Sequence, residues 1–151
     1  MKNVKILFIL LVCIILTGCS NSFAQKEYNA IDKIVKTEDR YAKEFSVFNP
    51  IEGGYSLKAA KFDGRETLWS ETMEEDKDIE LKIQMLLSDG TAKVVHIDED
   101  DNVTTIIECT SESATNGYIT QTVSLKRGLN RIKIVGKGCR DIELELLSSD
   151  F

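Results

Sequence analysis

Histidine, proline and tryptophan each occur once in the 151 residues, as His96, Pro50 and Trp69. One histidine leaves no set of imidazoles for a metal centre, and any Ser-His-Asp arrangement would have to run through His96. That residue sits in Val94-Val-His-Ile-Asp98, a strand-like run in which a lone histidine reads as a half-buried structural residue. A single proline rules out a proline-rich linker, and neither internal repeats nor low-complexity stretches occur. There is no CxxC pair, and Gly136-Lys-Gly138 is a turn rather than a glycine-rich phosphate loop. No paired carboxylates fall where a cleft would place them. The composition therefore points away from catalysis and from any cofactor. The net charge of −6 has the wrong sign for a nucleic-acid partner.

Long hydrophobic runs are scarce as well. The one clear case is Ile6 to Leu16, eleven apolar residues, whereas a membrane-spanning helix needs about 20. Eleven is the length of a signal-peptide core, and Lys2 and Lys5 supply the positive segment that precedes one. Leu16-Thr17-Gly18-Cys19 follows directly. This tetrapeptide resembles the lipobox of bacterial lipoproteins: an aliphatic residue, a small residue, Gly or Ala, then Cys. The resemblance implies cleavage between Gly18 and Cys19, with a diacylglyceryl group joined to the Cys19 thiol as a thioether. It also implies a chain held on the extracytoplasmic face of a cell membrane, or at an outer membrane where the cell has one. Ser20 occupies the position where Asp would signal inner-membrane retention. A competing secretory cleavage site of small-x-small type lies at Ser22-Phe23-Ala24.

Lipid would have to carry the attachment alone. Without Lys2 and Lys5 the chain has 17 basic and 25 acidic residues, a net of −8, and anionic headgroups repel it. Each buried methylene contributes about 0.8 kcal/mol, so two or three long acyl chains hold the protein without help from charge.

Cleavage would leave 133 residues, enough for one domain with a real core. Residues 19–41 read as a lipid-anchored tether, with either a short helix or further linker between Ala30 and Ala42. Residues 42–151 read as the folded domain. From Gly53 onward, short runs alternate polar with apolar residues every 8–14 positions, separated by turn signals such as Asp63-Gly64, Asp89-Gly90 and Asn116-Gly117. Ile79, Leu81, Ile83 and Met85 form one such stripe, and Ile142, Leu144 and Leu146 another. About eight strands without crossover helices predict an all-β, antiparallel β-sandwich. The run Leu125-Lys-Arg-Gly-Leu-Asn-Arg-Ile-Lys-Ile-Val135 resembles the penultimate hairpin of galactose-binding-like and carbohydrate-binding-module jelly rolls. That resemblance implies a jelly-roll-like sandwich; fold-level analogy does not by itself carry function.

Charge is divided along the chain. Residues 113–140 contain six basic residues and no acid, while residues 63–112 contain fifteen acids and four basic residues. Acidic strands pairing with basic neighbours account for this, at about 0.2–1 kcal/mol per pair. The competing reading is a basic patch for an anionic wall polymer. If the sandwich contacts a cell-wall glycan, the aromatic candidates are Trp69, Tyr55 and Tyr118; strand parity leaves Trp69 undecided, and a single tryptophan in a sandwich is more often core. Cys109 and Cys139 are either a disulfide or two isolated buried thiols, because the sequence sets no Cα separation. Asp98, Asp100 and Asn102 have the opening spacing of a calcium loop, but Val103 and Cys109 stand where that loop needs Gly and Glu. A solvated turn fits better. The functional expectation is a surface module, non-catalytic, that binds a wall glycan or an exported protein partner; docking as an accessory subunit is the alternative, and a small enzyme ranks last.

The lipobox reading has a direct test. Cys19→Ser should release the chain from the membrane fraction while leaving its folded-state fluorescence unchanged. A variant that stays membrane-bound and uncleaved overturns it.

Overall fold

The computed structural model describes residues 23–151. The signal segment 1–18, including Gly18, and the cysteine at 19 lie outside the described residues. Two short helices, α1 (Phe23–Glu27) and α2 (Ile31–Ile34), precede seven strands. These are β1 (Arg40–Ile51), β2 (Gly54–Met73), β3 (Lys77–Leu86), β4 (Asp89–Ile97), β5 (Val103–Thr110), β6 (Ile119–Leu125) and β7 (Gly128–Leu147). Every pairing is antiparallel.

The all-β, antiparallel expectation holds, with one difference in the strand count. The runs expected as separate strands at 55–59 and 66–73 are one twenty-residue strand, β2. Likewise 129–135 and 142–146 are halves of β7. Each long strand crosses from one layer to the other, so a single hydrogen-bonded sheet folds over on itself. In the first layer, β4 pairs with β5 and with residues 131–137 of β7, which pair in turn with the second half of β2. In the second, β3 pairs with β6 and with residues 143–147 of β7, beside the first half of β2. β1 runs along β2 through both layers, from Arg40 opposite Arg65 to Ile51 opposite Gly54.

The fold-over needs unusual backbone. The ladders skip the row Phe45, Ala60, Asp141, and Phe45 and Asp141 have φ of 47° and 44°. Left-handed conformations at non-glycine residues cost of order 1 kcal/mol or more. One step further on, the β2–β7 register shifts between Phe62 and Gly64. Gly64 has φ 107°, and a Cβ there would collide with the Arg40 carbonyl. Opposite it, a Cβ on Gly136 would lie 2.6 Å from the Phe62 ring and 2.9 Å from the Cys139 Sγ.

Alternation then fills the space between layers. Ile79, Leu81, Ile83 and Met85 face Ala92, Val94, Ile132 and Ile134 in one buried cluster. One end is closed by aromatics: Phe151 packs on Trp69 at 5.3 Å and on Tyr55 at 5.8 Å, and Tyr55 stacks on Phe48 at 5.9 Å. The chain end is tied in where the Ser148 N–H donates to the Gly53 carbonyl.

Residues 23–41 are not a tether. Ala24, Tyr28 and Ile34 are buried, and Tyr28 and Ile34 join Val95, Ile97 and Val135 in a second apolar cluster. The 23–39 segment thus straps the outer face of the first layer. Val95, Ile97 and Val135 point away from the main core and would otherwise expose apolar surface to water. The folded unit accordingly begins well before residue 42.

Gly136→Ala should test the fold-over. Its methyl has no room between Phe62 and Cys139, and overpacking of this kind costs about 1–3 kcal/mol. A loss of that size is expected in urea denaturation; an unchanged midpoint would mean the two halves of β7 yield easily at this point.

Candidate functional site

With the strap on the first layer, the other outer face is left open. Strand register arranges it in rows. Gln84 of β3 lies opposite Glu145 of β7, which lies opposite Ser56 of β2, which lies opposite Asn49 of β1. The next row runs Leu86, Glu143, Lys58, Val47. Strands are about 4.8 Å apart, so each row spans about 14 Å. Lys58 and Glu143 form an exposed ion pair at 2.8 Å. That contact holds the Lys58 ammonium above the usual lysine range.

Aromatic surface flanks the rows. Tyr118 is exposed and reaches across β3 to donate its hydroxyl hydrogen bond to Glu145. That bond, more than any burial, raises the phenol's pKa. At the opposite side Phe45 is 91 % exposed, the most open large apolar side chain among the described residues. It rims a shallow depression of about 210 Å³ shared with Lys58, Ala60, Asp141 and Glu143. An exposed phenylalanine in a left-handed backbone is costly on both counts, and strain of this kind concentrates at binding sites. No local sequence signal marks Phe45 as a residue held at a bend by its neighbours.

The other aromatic candidates lie elsewhere. Trp69 is 7 % exposed and sits in the core on Phe151, opposite Ile132. Tyr55 is half-buried between Phe48 and Phe151. Both close the end of the sandwich, so neither offers a platform to a ligand; of the three expected glycan contacts, Tyr118 alone is on the open face.

Cys109 and Cys139 are free thiols, both buried. β4 lies between their strands, with Ala92 opposite both Cys109 and Gly136. Two strand spacings make about 9.6 Å, beyond the roughly 7 Å Cα limit for a disulfide. Burial pushes the Cys139 thiol up to about 12 and raises Cys109 as well.

The acidic turn is closed on itself. Asp98 accepts hydrogen bonds from the Asp100 and Asn102 N–H groups at 3.0 and 2.9 Å and from the Asn102 amide. Burial pushes its carboxyl up, and these donors outweigh that, leaving it below the usual carboxylate range. Asp101 points away to Arg131. Asp98, Asp100 and Asn102 therefore form a hydrogen-bonded turn, and among the described residues no cluster of His, Cys, Asp or Glu is disposed to hold a metal ion.

His96 points inward and is buried, with its Nε2 2.9 Å from Asn130 Oδ1. Asn130 Oδ1 also accepts the Lys126 N–H, and its amide nitrogen donates to the carbonyls of Lys126 and Gly128. An oxygen that only accepts makes His96 the donor, so this pair clamps the turn that joins β6 to β7. His96 also floors a cavity of about 250 Å³ between edge strands β5 and β6, lined by Thr104, Thr105, Gln121, Thr122 and Ser124.

No family model matches this chain, and no curated protein matches it either. Solved structures similar to it include a mutant family 29 carbohydrate-binding module complexed with mannohexaose. It has a TM-score of 0.44 and 10 % identity, over 74 % of this chain and 77 % of that one. Another is a family 29 carbohydrate-binding module with a TM-score of 0.43 and 9 % identity, over 74 % of each chain. The reading of the site rests on the sheet face itself.

The basic segment 113–140 does not form a surface patch. Arg131 and Lys133 are buried, and Lys126 pairs with Asp76 at 2.8 Å. Pairing between oppositely charged segments is the arrangement found.

Thiol labelling and fluorescence check these placements together. In the native state Cys109 and Cys139 should resist alkylation at pH 8 and both react after unfolding, while iodide barely quenches Trp69. One missing thiol in the unfolded chain would restore the disulfide; strong quenching would put Trp69 on the surface.

Proposed function

We propose that the chain is a lipid-anchored, non-catalytic binding module whose open second-layer face takes a neutral glycan of the cell surface. The observation that carries this is the juxtaposition on one outer face of Tyr118, and of Phe45 at its fold-over margin, with a row of amide, carboxylate and hydroxyl groups, Gln84, Glu145, Ser56 and Asn49. Aromatic rings stack on the apolar C–H faces of sugar rings, and carboxylates and amides exchange hydrogen bonds with vicinal hydroxyls. Glu143 and Glu145 outnumber Lys58 within the two rows, which disfavours an anionic polymer there.

Membrane attachment through Cys19 rests on the lipobox resemblance. Four residue steps separate Cys19 from Phe23, a reach of at most about 14 Å. Since that segment leads onto the first layer, the second-layer face would look away from the membrane. The alternative reading, an accessory subunit, is favoured by the free edges of β5 and β6, to which an extended segment of an exported protein could add as a strand.

Titration calorimetry of the soluble Cys19→Ser chain against neutral wall-type and plant-type oligosaccharides tests the glycan reading. Phe45→Ala and Tyr118→Ala should each weaken binding about tenfold or more, with little change in stability because both side chains are exposed. Binding unaffected by both substitutions, or absent across neutral glycans, would sink it.

A further inference from the structure

The strapped face holds an unusual concentration of buried cations. On β7, Arg131, Lys133 and Lys137 lie on one side of the strand with Val135 between them, alternate residues being about 6.6 Å apart. Arg65 of β2 and Lys93 of β4 flank Val135 in register. Four of these five are buried, and Lys133 is 0 % exposed.

Asp101, in the turn between β4 and β5, binds Arg131 at 2.7 Å, and Glu108 of β5 lies opposite Lys93. The strap supplies two further carboxylates. Glu27 binds Arg65 at 2.5 Å, and Asp39 binds Lys133 at 3.1 Å. The Val35 carbonyl accepts from Arg131 and the Lys36 carbonyl from Lys133. Asn29 accepts from Lys93. Tyr28 rivets the strap down, with Lys93 and Lys137 on its ring and its hydroxyl on Glu108. The match is nevertheless incomplete. The Nε atoms of Arg65 and Arg131 are buried with no hydrogen-bond partner, a state that costs stability because their desolvation is uncompensated. The strap itself is weakly built: its helices have five and four residues, and α2 lacks a side-chain cap.

We propose that this face is a closed binding site for a linear polyanion, a chain of closely spaced phosphate groups, for which the 23–39 strap is an internal stand-in. The strap supplies two carboxylates and two carbonyls where a polyanion would supply a continuous row of charged oxygens, including acceptors for the two unpartnered Nε–H groups. Lifting it exposes five cations on three adjacent strands of an otherwise acidic protein, with Asp101 on Arg131 and Glu108 opposite Lys93 as the carboxylates that remain. The site is independent of the glycan face, which lies on the other layer.

Inorganic polyphosphate is the probe, added to the full-length Cys19→Ser chain at low salt. Saturating polyphosphate should speed hydrogen exchange at the Tyr28, Ile34 and Val35 amides, which bond within the strap, and leave the β3 and β4 amides protected. Tyr28→Ala removes the rivet but none of the cations; by raising the open fraction it should tighten binding about tenfold. Adding Arg131→Met and Lys133→Met should abolish that gain. Three results each overturn the proposal: strap exchange unmoved by saturating polyphosphate, a folded Tyr28→Ala chain that binds no tighter, or a gain that survives loss of both cations. Binding to phosphatidylglycerol vesicles without binding to polyphosphate overturns it too. Should Tyr28→Ala lose core protection, exchange in the chain that retains Tyr28 decides alone.

Discussion

The rest of the structure depends on one sheet having to turn over on itself at a single line. Phe45, Ala60 and Asp141 mark that line, with the two glycines Gly64 and Gly136 beside it. Because β2 and β7 are continuous through the turn, neither layer can form without the other. The turn also decides which charges go where. One strand, β7, contributes Arg131, Lys133 and Lys137 to the outer face of the first layer, then Glu143 and Glu145 to the outer face of the second. The two outer surfaces thus differ in sign because the strand crosses between them.

That difference explains why only one face is covered. The second-layer face pairs its charges in the open, where exposed ion pairs such as Lys58–Glu143 contribute little and cost little. Facing the strap, the first layer has apolar residues interleaved with cations: Val95, Ile97 and Val135 among Lys93, Arg131 and Lys133. Burying the first set drags the second out of water. Desolvation lowers the pKa of Lys133, and the Asp39 carboxylate only partly opposes that. Removing one partner of such a buried pair destabilises far more than the intact pair contributes. The strap is therefore a compromise between apolar cover, which favours closure, and ion desolvation, which opposes it.

Much of the architecture was legible in the sequence because a strand with one wet face declares itself by period-two alternation. β3 is the clear case, with Ile79, Leu81, Ile83 and Met85 inward and charged or polar neighbours outward. The same rule failed on β7. Arg131 and Lys133 alternate with Ile132 and Ile134 and read as exposed, yet all four are buried, since a segment nearly a hundred residues away covers the outer side. The helical strap was misread for the mirror reason: its polarity suggested a tether, but its carboxylates answer cations that only the fold collects. Strand parity leaves Trp69 undecided, since Thr67, Glu71 and Met73 share its face, and a lone tryptophan in a sandwich is more often core; its partner there is Phe151 at the chain end, which also packs on Tyr55. The open-face row Gln84, Glu145, Ser56 and Asn49 draws on four strands, and no sequence window contains it.

The position of the strap also bears on orientation. A chain that leaves the domain from Phe23 leaves it on the side of the first layer, and about 14 Å of peptide at most separates that point from Cys19. Two sheets packed about 10 Å apart keep the opposite face well clear of it. With a lipid on Cys19, as proposed, the acidic, aromatic-flanked face is turned outward and the cation-bearing face is turned toward the attachment point. The closed strap then has a consequence beyond stability. Under that proposal, four buried cations on the side of the attachment point would, if bare, draw that face onto anionic headgroups; Glu27 on Arg65, Asp39 on Lys133 and Asp101 on Arg131 would offset three of them and let the domain stand off the bilayer.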